Sequence, residues 1–146
     1  MNCKIAMNGF LGRMGQSIFD ESKNHENIEI SVGCDSTEKI ESSINNYDLK
    51  LTTDISKVSE LFEVVIDFSL PIPSINAIQK CVSLNKAITI GTTGFTKDQL
   101  IIIKEASKKI PILLAPNMSQ GVNVSLKSLA SMSKSLKDYN VLIKEI

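Results

Sequence analysis

Three glycines near the amino terminus have the spacing of a phosphate-binding turn. Gly9, Gly12 and Gly15 follow a short apolar run at 4–7 and precede a helical pattern that continues to about residue 24. In a strand–turn–helix unit the first glycine allows a sharp turn, the second leaves room for a phosphate, and the third allows close helix packing. The helix N-terminus adds free N–H groups and a partial positive charge. The spacing therefore indicates a pyrophosphate site.

The glycine pattern alone is ambiguous, because Leu11 stands where the dinucleotide-binding pattern often has glycine, and a tight turn that binds nothing has the same sequence. Asp35 favours binding, since it ends a predicted strand at 28–34 about 20 residues after the turn, where an acid accepts hydrogen bonds from the adenosine ribose. A carboxylate there favours NAD over NADP, whose 2′-phosphate would meet like charge. Arg13 and Lys39 could offset that repulsion, so NADP stays open.

The rest of the chain alternates between strand and helix patterns. Further strands are predicted at 51–53, 64–68, 87–90, 112–115 and 140–146. Helices of crossover length are predicted at 71–84, 97–109 and 121–136. This order predicts the α/β class, with a Rossmann-like doubly wound parallel sheet built from βαβ repeats and covered by helices on both faces.

Small polar residues follow each predicted strand, and the carboxyl ends of parallel strands meet at one edge of a sheet. We therefore expect one crevice lined by the strand ends at Gly9, Asp35, Ser69, Gly91 and Asn117. The segment at 91–94 sets two hydroxyl groups between two glycines, and it could hold the carboxamide of a nicotinamide ring.

Composition excludes several other functions. Sixteen basic and sixteen acidic residues give zero net charge, and with 5% aromatic residues and no basic run they predict no nucleic-acid binding. No apolar run reaches the roughly 18 residues of a membrane span, and no signal peptide pattern is present, so we expect a cytoplasmic protein without a membrane partner. Three cysteines and one histidine form no metal-ligand pattern, so we expect free thiols and no metal site.

Four stretches resemble the dihydrodipicolinate reductase family in their order and spacing, at 9–15, 65–69, 90–95 and 115–123. The resemblance implies a Rossmann domain that binds NADH or NADPH. It assigns the pyrophosphate to Gly9, Phe10, Leu11, Gly12, Arg13 and Met14, and the ribose to Asp35. It assigns the nicotinamide and its ribose to Gly91, Thr92 and Thr93, and closure over the cofactor to Ala115, Pro116, Asn117 and Met118. The family usually has glutamate followed by arginine where this chain has Asp35 and Ser36, which favours NADH.

The resemblance also implies a domain division. Residues 1–120 form the dinucleotide-binding domain, and residues 121–146 form a hinge helix and the first strand of a truncated C-terminal domain for substrate and oligomerisation. The family's His-His pair, lysine and Pro-Ser-Gly-Thr run are expected beyond Ile146, so no catalytic residue is expected here. The implied reaction transfers hydride from NAD(P)H to a small cyclic dicarboxylate, dihydrodipicolinate, in diaminopimelate and lysine biosynthesis. The intact enzyme is expected to be a homotetramer, and this chain alone to be inactive and to lack the main tetramer contacts.

Two alternatives accompany this interpretation. One is another Rossmann oxidoreductase of the aspartate or homoserine dehydrogenase type, against which the stretches at 91–95 and 116–123 argue. The other is a non-catalytic domain that senses NAD without turning it over. The residues that follow Ile146 would discriminate between the sensor and the reductase.

Overall fold

The chain divides into two compact units, Met1–Pro116 and Asn117–Ile146. The computed structural model describes residues 2–43, 47–136, 138–140 and 142. In the described part of the second unit, one helix, α5, covers Gln120–Ser135, and the Ser119 hydroxyl caps it by accepting from the N–H of Val122. The strand predicted at 140–146 falls mostly outside the described residues.

The first unit is built on a parallel sheet. Its strands in the described residues are β1 Cys3–Asn8, β2 Ile28–Cys34, β3 Lys50–Thr52, β4 Val64–Asp67, β5 Ala87–Ile90 and β6 Ile112–Leu114. Every neighbouring pair is parallel, and the strand order is β3-β2-β1-β4-β5-β6. This is the order of the doubly wound dinucleotide-binding fold, so the predicted fold class is confirmed.

The helices begin where local chemistry predicts. They are α1 Arg13–Ser22, α2 Thr37–Ser42, α3 Pro71–Leu84 and α4 Lys97–Ala106. Pro71 opens α3, where its missing N–H costs no helical hydrogen bond. Thr96 and Gln99 form a reciprocal capping box at the start of α4. Asp54 caps the segment Ile55–Leu61, which is a 3₁₀-helix with non-helical backbone angles at Val58.

The core lies on both faces of the sheet. On one face, side chains of α3, α4 and the 3₁₀-helix pack against Val65 and Ile88. On the other face, Phe10 is fully buried among Ile5, Met7 and the partly buried side chains of α1. Since α1 begins directly after the turn that follows β1, its packing fixes that turn at the carboxyl edge of the sheet.

Candidate functional site

The glycine-rich turn is held by hydrogen bonds to the end of β2. The N–H groups of Gly9 and Phe10 both donate to the carbonyl of Cys34, at 2.9 and 3.2 Å. Gly9 has a φ of +80°, a left-handed conformation that favours glycine, and the N–H of Gly12 donates to its carbonyl at 3.1 Å. The turn is therefore built into the sheet.

The three glycines face different surroundings. A Cβ on Gly9 would overlap the carbonyl oxygen of Phe68, and a Cβ on Gly15 would overlap the carbonyl oxygen of Phe10. A Cβ on Gly12 would meet its nearest atom at 3.2 Å, and Gly12 lines an open cleft. Gly9 and Gly15 are thus required by packing, whereas Gly12 leaves space for a ligand to approach the backbone.

The cleft lies at the carboxyl ends of β1, β2 and β4 and has a volume of about 500 Å³. This size is within the range of small-molecule sites, roughly 300–1,000 Å³. Its lining residues are Asn8, Gly9, Gly12, Cys34, Asp35, Ser36, Lys39, Thr53, Ile55, Phe68, Ser69, Leu70, Pro73, Asn76, Ala77 and Lys80. The site therefore lies where ligands bind in open parallel sheets, outside the carboxyl ends of the strands.

Asp35 is the fixed acid of this cleft. Its side chain is 8% exposed. Its Oδ2 accepts from the N–H of Leu11 at 2.9 Å, and its Oδ1 accepts from the N–H of Ser36 at 2.9 Å. The Nζ of Lys39, which is largely exposed, lies 3.2 Å from Oδ1. The backbone thus holds the carboxylate, while the Lys39 contact is a weak surface pair that a hydroxyl ligand could replace.

The two lysines of the cleft both have carboxylate partners. Lys39 contacts Asp35, and the Nζ of Lys80 lies 2.9 Å from Oδ1 of Asp54. Hydrogen bonds from Lys80 and Ser56 hold the pKa of Asp54 well below its ordinary value.

The N-terminal end of α1 carries a partial positive charge. Helix α1 has no acidic residue in its first turn, so this charge is not neutralised by its own side chains. The helix end therefore favours an anion.

The segment after β5 lies beside the end of β4. Thr92 is buried, and its Oγ1 accepts from the N–H of Ser69 at 2.9 Å and donates to Oδ2 of Asp67 at 2.7 Å. Gly91 is also buried, because the ring of Phe68 occupies the space where its Cβ would be. Thr93 is exposed.

The structure brings Gly9, Gly12 and Asp35 together in the cleft. Among the other predicted site residues of the first turn, Phe10 places its ring in the core, and Leu11 contacts Asp35 through its backbone. Arg13 and Met14 are exposed on the first turn of α1. The rest follow other strands. Gly91, Thr92 and Thr93 follow β5, Ala115 and Pro116 follow β6, and Asn117 and Met118 belong to the second unit.

Sequence reasoning missed one wall of the cleft. This wall consists of Leu70 and the α3 residues Pro73, Asn76, Ala77 and Lys80. The α3 residues recur at intervals of three and four, so they share one helix face, and a helical projection of the predicted helix at 71–84 would have grouped them. The direction in which that helix face points depends on how α3 packs against the sheet. The sequence pattern alone does not give this packing.

The strand order, the glycine turn and the acid at the end of β2 together define a Rossmann-type domain of the kind that binds nicotinamide dinucleotides. Residues 3–118 match the family described as Dihydrodipicolinate reductase, N-terminus. The match covers most of the chain, and the chain belongs to this family. The resemblance seen in the four sequence stretches is confirmed, against the alternative of an aspartate or homoserine dehydrogenase.

Curated relatives agree with this assignment, and a solved structure shares the fold. The chain is 37% identical to 4-hydroxy-tetrahydrodipicolinate reductase of Buchnera aphidicola subsp. Cinara cedri, over 91% of this chain and 52% of the relative. It is also 37% identical to that of Geotalea daltonii, over 98% of this chain and 57% of the relative. The fold matches the dipicolinate-bound dihydrodipicolinate reductase from Paenisporosarcina sp. TG-14, with TM-score 0.71, 24% identity, and coverage of 91% of this chain and 54% of that one. The chain spans about half the length of the curated relatives it matches.

The described residues also bear on membranes and metals. Within residues 2–43, 47–136, 138–140 and 142, no helix has both the length and the apolar character needed to span a membrane. In the same ranges, no three His, Cys, Asp or Glu side chains are grouped so that they could hold a metal ion.

Proposed function

We propose that this chain is the NAD(P)H-binding part of a reductase that transfers hydride to a cyclic dicarboxylate of the dihydrodipicolinate type, in diaminopimelate and lysine biosynthesis. The observation that carries the proposal is the placement of Asp35 beside Gly9 and Gly12 in one cleft. Gly12 leaves the backbone open to the pyrophosphate, and Asp35 accepts hydrogen bonds from the adenosine ribose. The segment at 91–93 and the residues 115–118 contribute to the nicotinamide half.

NADH is the favoured cofactor. The carboxylate of Asp35 suits a ribose with a free 2′-hydroxyl, because a hydroxyl donates to it and a phosphate is repelled by it. Both lysines that line the cleft are already paired with carboxylates, Lys39 with Asp35 and Lys80 with Asp54. A 2′-phosphate would therefore have to break an existing ion pair to gain either cleft lysine, and Arg13, the other candidate cation, does not line the cleft.

The chemical role of this chain is to bind and orient. The cofactor, when bound, supplies the hydride. The residues of the glycine turn hold the pyrophosphate, and Asp35 fixes the adenosine end. Residues 1–120 serve as the cofactor domain, while residues 121–146 serve as a hinge helix and the start of the domain for substrate and for tetramer assembly.

Substrate reduction is proposed to need groups from outside this chain. A cyclic dicarboxylate requires cationic partners for two carboxylates and an acid that protonates the substrate. His25 is the one histidine of the chain, and it lies on the connection before β2, at the opposite end of the sheet from the cleft. We expect the 146-residue chain to bind NADH without oxidising it when substrate is added, and substrate-dependent NADH oxidation by this chain would contradict that expectation.

The proposal is tested by fluorescence titration of the 146-residue chain with NADH. Asp35→Ala should weaken NADH binding about tenfold or more, because it removes a charged acceptor of ribose hydroxyls. Asp48→Ala is the matched control, since Asp48 is exposed and does not line the cleft. Equal NADH affinity in the wild-type chain and in Asp35→Ala would show that the ribose assignment is wrong.

A further inference from the structure

A buried carboxylate joins the ends of three central strands. Asp67, the last residue of β4, is 0% exposed. Its Oδ1 accepts from Nδ2 of Asn8 and from Oγ of Ser69, both at 2.6 Å, and its Oδ2 accepts from Oγ1 of Thr92 at 2.7 Å. Because the Thr92 hydroxyl also accepts from the N–H of Ser69 at 2.9 Å, the four residues form a closed hydrogen-bond network.

A buried carboxylate network is an energetically unfavourable way to stabilise a sheet. Burying a carboxylate removes it from water, and well-packed apolar side chains often stabilise a core as well or better. Among the residues that the structure describes, none forms an ion pair with Asp67. Three neutral donors satisfy the carboxylate instead. A fully satisfied buried network of this kind specifies one geometry, since any displacement leaves a buried polar atom without its partner.

The network fixes the positions of residues that line the cleft and of the segment at 91–93. Asn8 directly precedes Gly9, and both Asn8 and Ser69 line the cleft. Thr92 belongs to the segment at 91–93, which the proposed function assigns to the nicotinamide half of the cofactor. Asp67 has no exposed surface, so it acts only through the residues that it holds.

We infer that Asp67 is a positioning residue that fixes the segment at 91–93 relative to the glycine turn, so that both halves of a dinucleotide are bound in register. This inference rests on the proposed function. The hydroxyl of Thr92 is the single side-chain link from the segment after β5 to the carboxylate in the described network, and the backbone bond from the N–H of Gly91 to the carbonyl of Asp67, at 2.8 Å, holds only the first residue of that segment. Removing the hydroxyl should therefore release Thr92 and Thr93, weaken binding of the nicotinamide half and leave the adenosine half in place.

The test compares NADH with ADP-ribose, which lacks the nicotinamide. Thr92→Val removes the hydroxyl at nearly constant volume and should weaken NADH about tenfold while changing ADP-ribose less than about twofold. Thr92→Ser retains the hydroxyl that donates to Asp67, so it should recover most of the NADH affinity that Thr92→Val loses. Asp67→Asn replaces one acceptor oxygen with an amide group that donates, and this group would face the existing donors. The substitution should therefore weaken the binding of both ligands.

The control for a general loss of stability is Ser22→Ala. Ser22 is also buried, and its hydroxyl donates to the carbonyl of Phe19 at 2.7 Å, outside the cleft. Ser22→Ala should lower the melting temperature and leave both affinities unchanged. Unchanged NADH affinity in Thr92→Val, or an equal loss of both ligands, would overturn the inference while leaving the proposed function standing.

Hydrogen exchange measured on the chain without ligand tests whether Asp67 holds the segment at 91–93 in place. This test does not depend on the proposed function. Asp67→Asn and Thr92→Val should speed amide exchange in the segment at 91–93, and Asp67→Asn should also speed it in the turn at 9–12. Exchange that changes only within β4 would overturn the inference even if NADH binds. A wild-type chain that binds neither NADH nor ADP-ribose would contradict the proposed function and the positioning of a cofactor together.

Discussion

The backbone N–H of Leu11 donates a hydrogen bond of 2.9 Å to Oδ2 of Asp35, which lies 24 residues later in the chain. This bond joins the glycine turn after β1 to the acid after β2. The acid is therefore oriented in the cleft by the protein itself, and a ribose would meet a carboxylate that is already fixed. Such preorganisation reduces the entropy lost on binding.

Cofactor preference should change when Asp35 is replaced by a small polar residue. In Asp35→Ser, Lys39 loses its carboxylate partner and becomes available to a 2′-phosphate. We expect NADPH affinity to rise relative to NADH by about tenfold or more, because a repulsive charge is removed and a cation is freed. Adding Lys39→Ala should reverse the gain. Titration of both cofactors measures the ratio, and an unchanged ratio in Asp35→Ser would contradict the role given to Asp35 in cofactor choice.

Two glycines of the turn should respond differently to alanine. Gly12→Ala should change the free energy of unfolding by less than about 1 kcal/mol but weaken NADH about tenfold, since the new methyl group enters the cleft where the pyrophosphate approaches. Gly15→Ala should lower the free energy of unfolding by about 1–3 kcal/mol, because its Cβ overlaps the carbonyl oxygen of Phe10. Denaturant unfolding and NADH titration measure the two effects. Full NADH affinity in Gly12→Ala would argue against phosphate binding at this turn.

Acid should destabilise the chain partly through Asp54. Hydrogen bonds from Lys80 and Ser56 lower the pKa of Asp54 in the folded chain below its ordinary value of 3.8. Because the pKa of Asp54 is lower in the folded chain than in the unfolded chain, its ionised carboxylate stabilises the folded chain at pH values above 3.8. This stabilisation is lost as the pH falls below that value. The free energy of unfolding, measured by denaturant unfolding at each pH, should therefore fall more steeply below about pH 5 in the wild-type chain than in Asp54→Asn, by at most about 1 kcal/mol for a partly exposed pair. Asp48→Asn is the control, and parallel curves for the wild-type chain and Asp54→Asn would contradict the assignment.

The three cysteines should differ in reactivity. Burial raises the pKa of Cys34 to about 11 and that of Cys81 to about 12, so both remain protonated at pH 8. Cys3 is only partly buried, and all three are free thiols. We expect iodoacetamide at pH 8 to label Cys3 rapidly and the other two only after denaturation, as measured by mass spectrometry. Cys3→Ser should remove the rapid reaction, and rapid labelling of Cys34 in the folded chain would contradict the burial of its thiol.

Much of the fold follows from local signals in the sequence. Pro71 and the capping residues Thr96 and Asp54 are residue types that favour the start of a helix, and in the structure each stands where a helical segment begins. The 3₁₀ character of Ile55–Leu61 did not follow from sequence, because it depends on how Ile55 and Val58 are buried against the sheet. Propensity alone does not distinguish a 3₁₀-helix from a short α-helix.

The site was less predictable than the fold. The glycine turn and Asp35 were found because both are local signals at a known separation. The contact of Asp67 with Thr92 joins residues 25 apart and depends on the register of β4 and β5, which a sequence pattern does not give. The resemblance assigned Phe10 to the pyrophosphate turn, and the structure adds that its ring packs in the core, so any contact of Phe10 with a phosphate would be through its backbone.

The central claim is that the ends of neighbouring parallel strands hold one dinucleotide. The most direct test is to titrate NADH into the ¹⁵N-labelled chain and follow the backbone amide signals. The account predicts that shifts concentrate at three places, the turn at 9–12, residues 35–36 and the segment at 91–93. Shifts confined to the separate groove lined by Ala87, Thr89 and Leu113, or no shifts at saturating NADH, would contradict it.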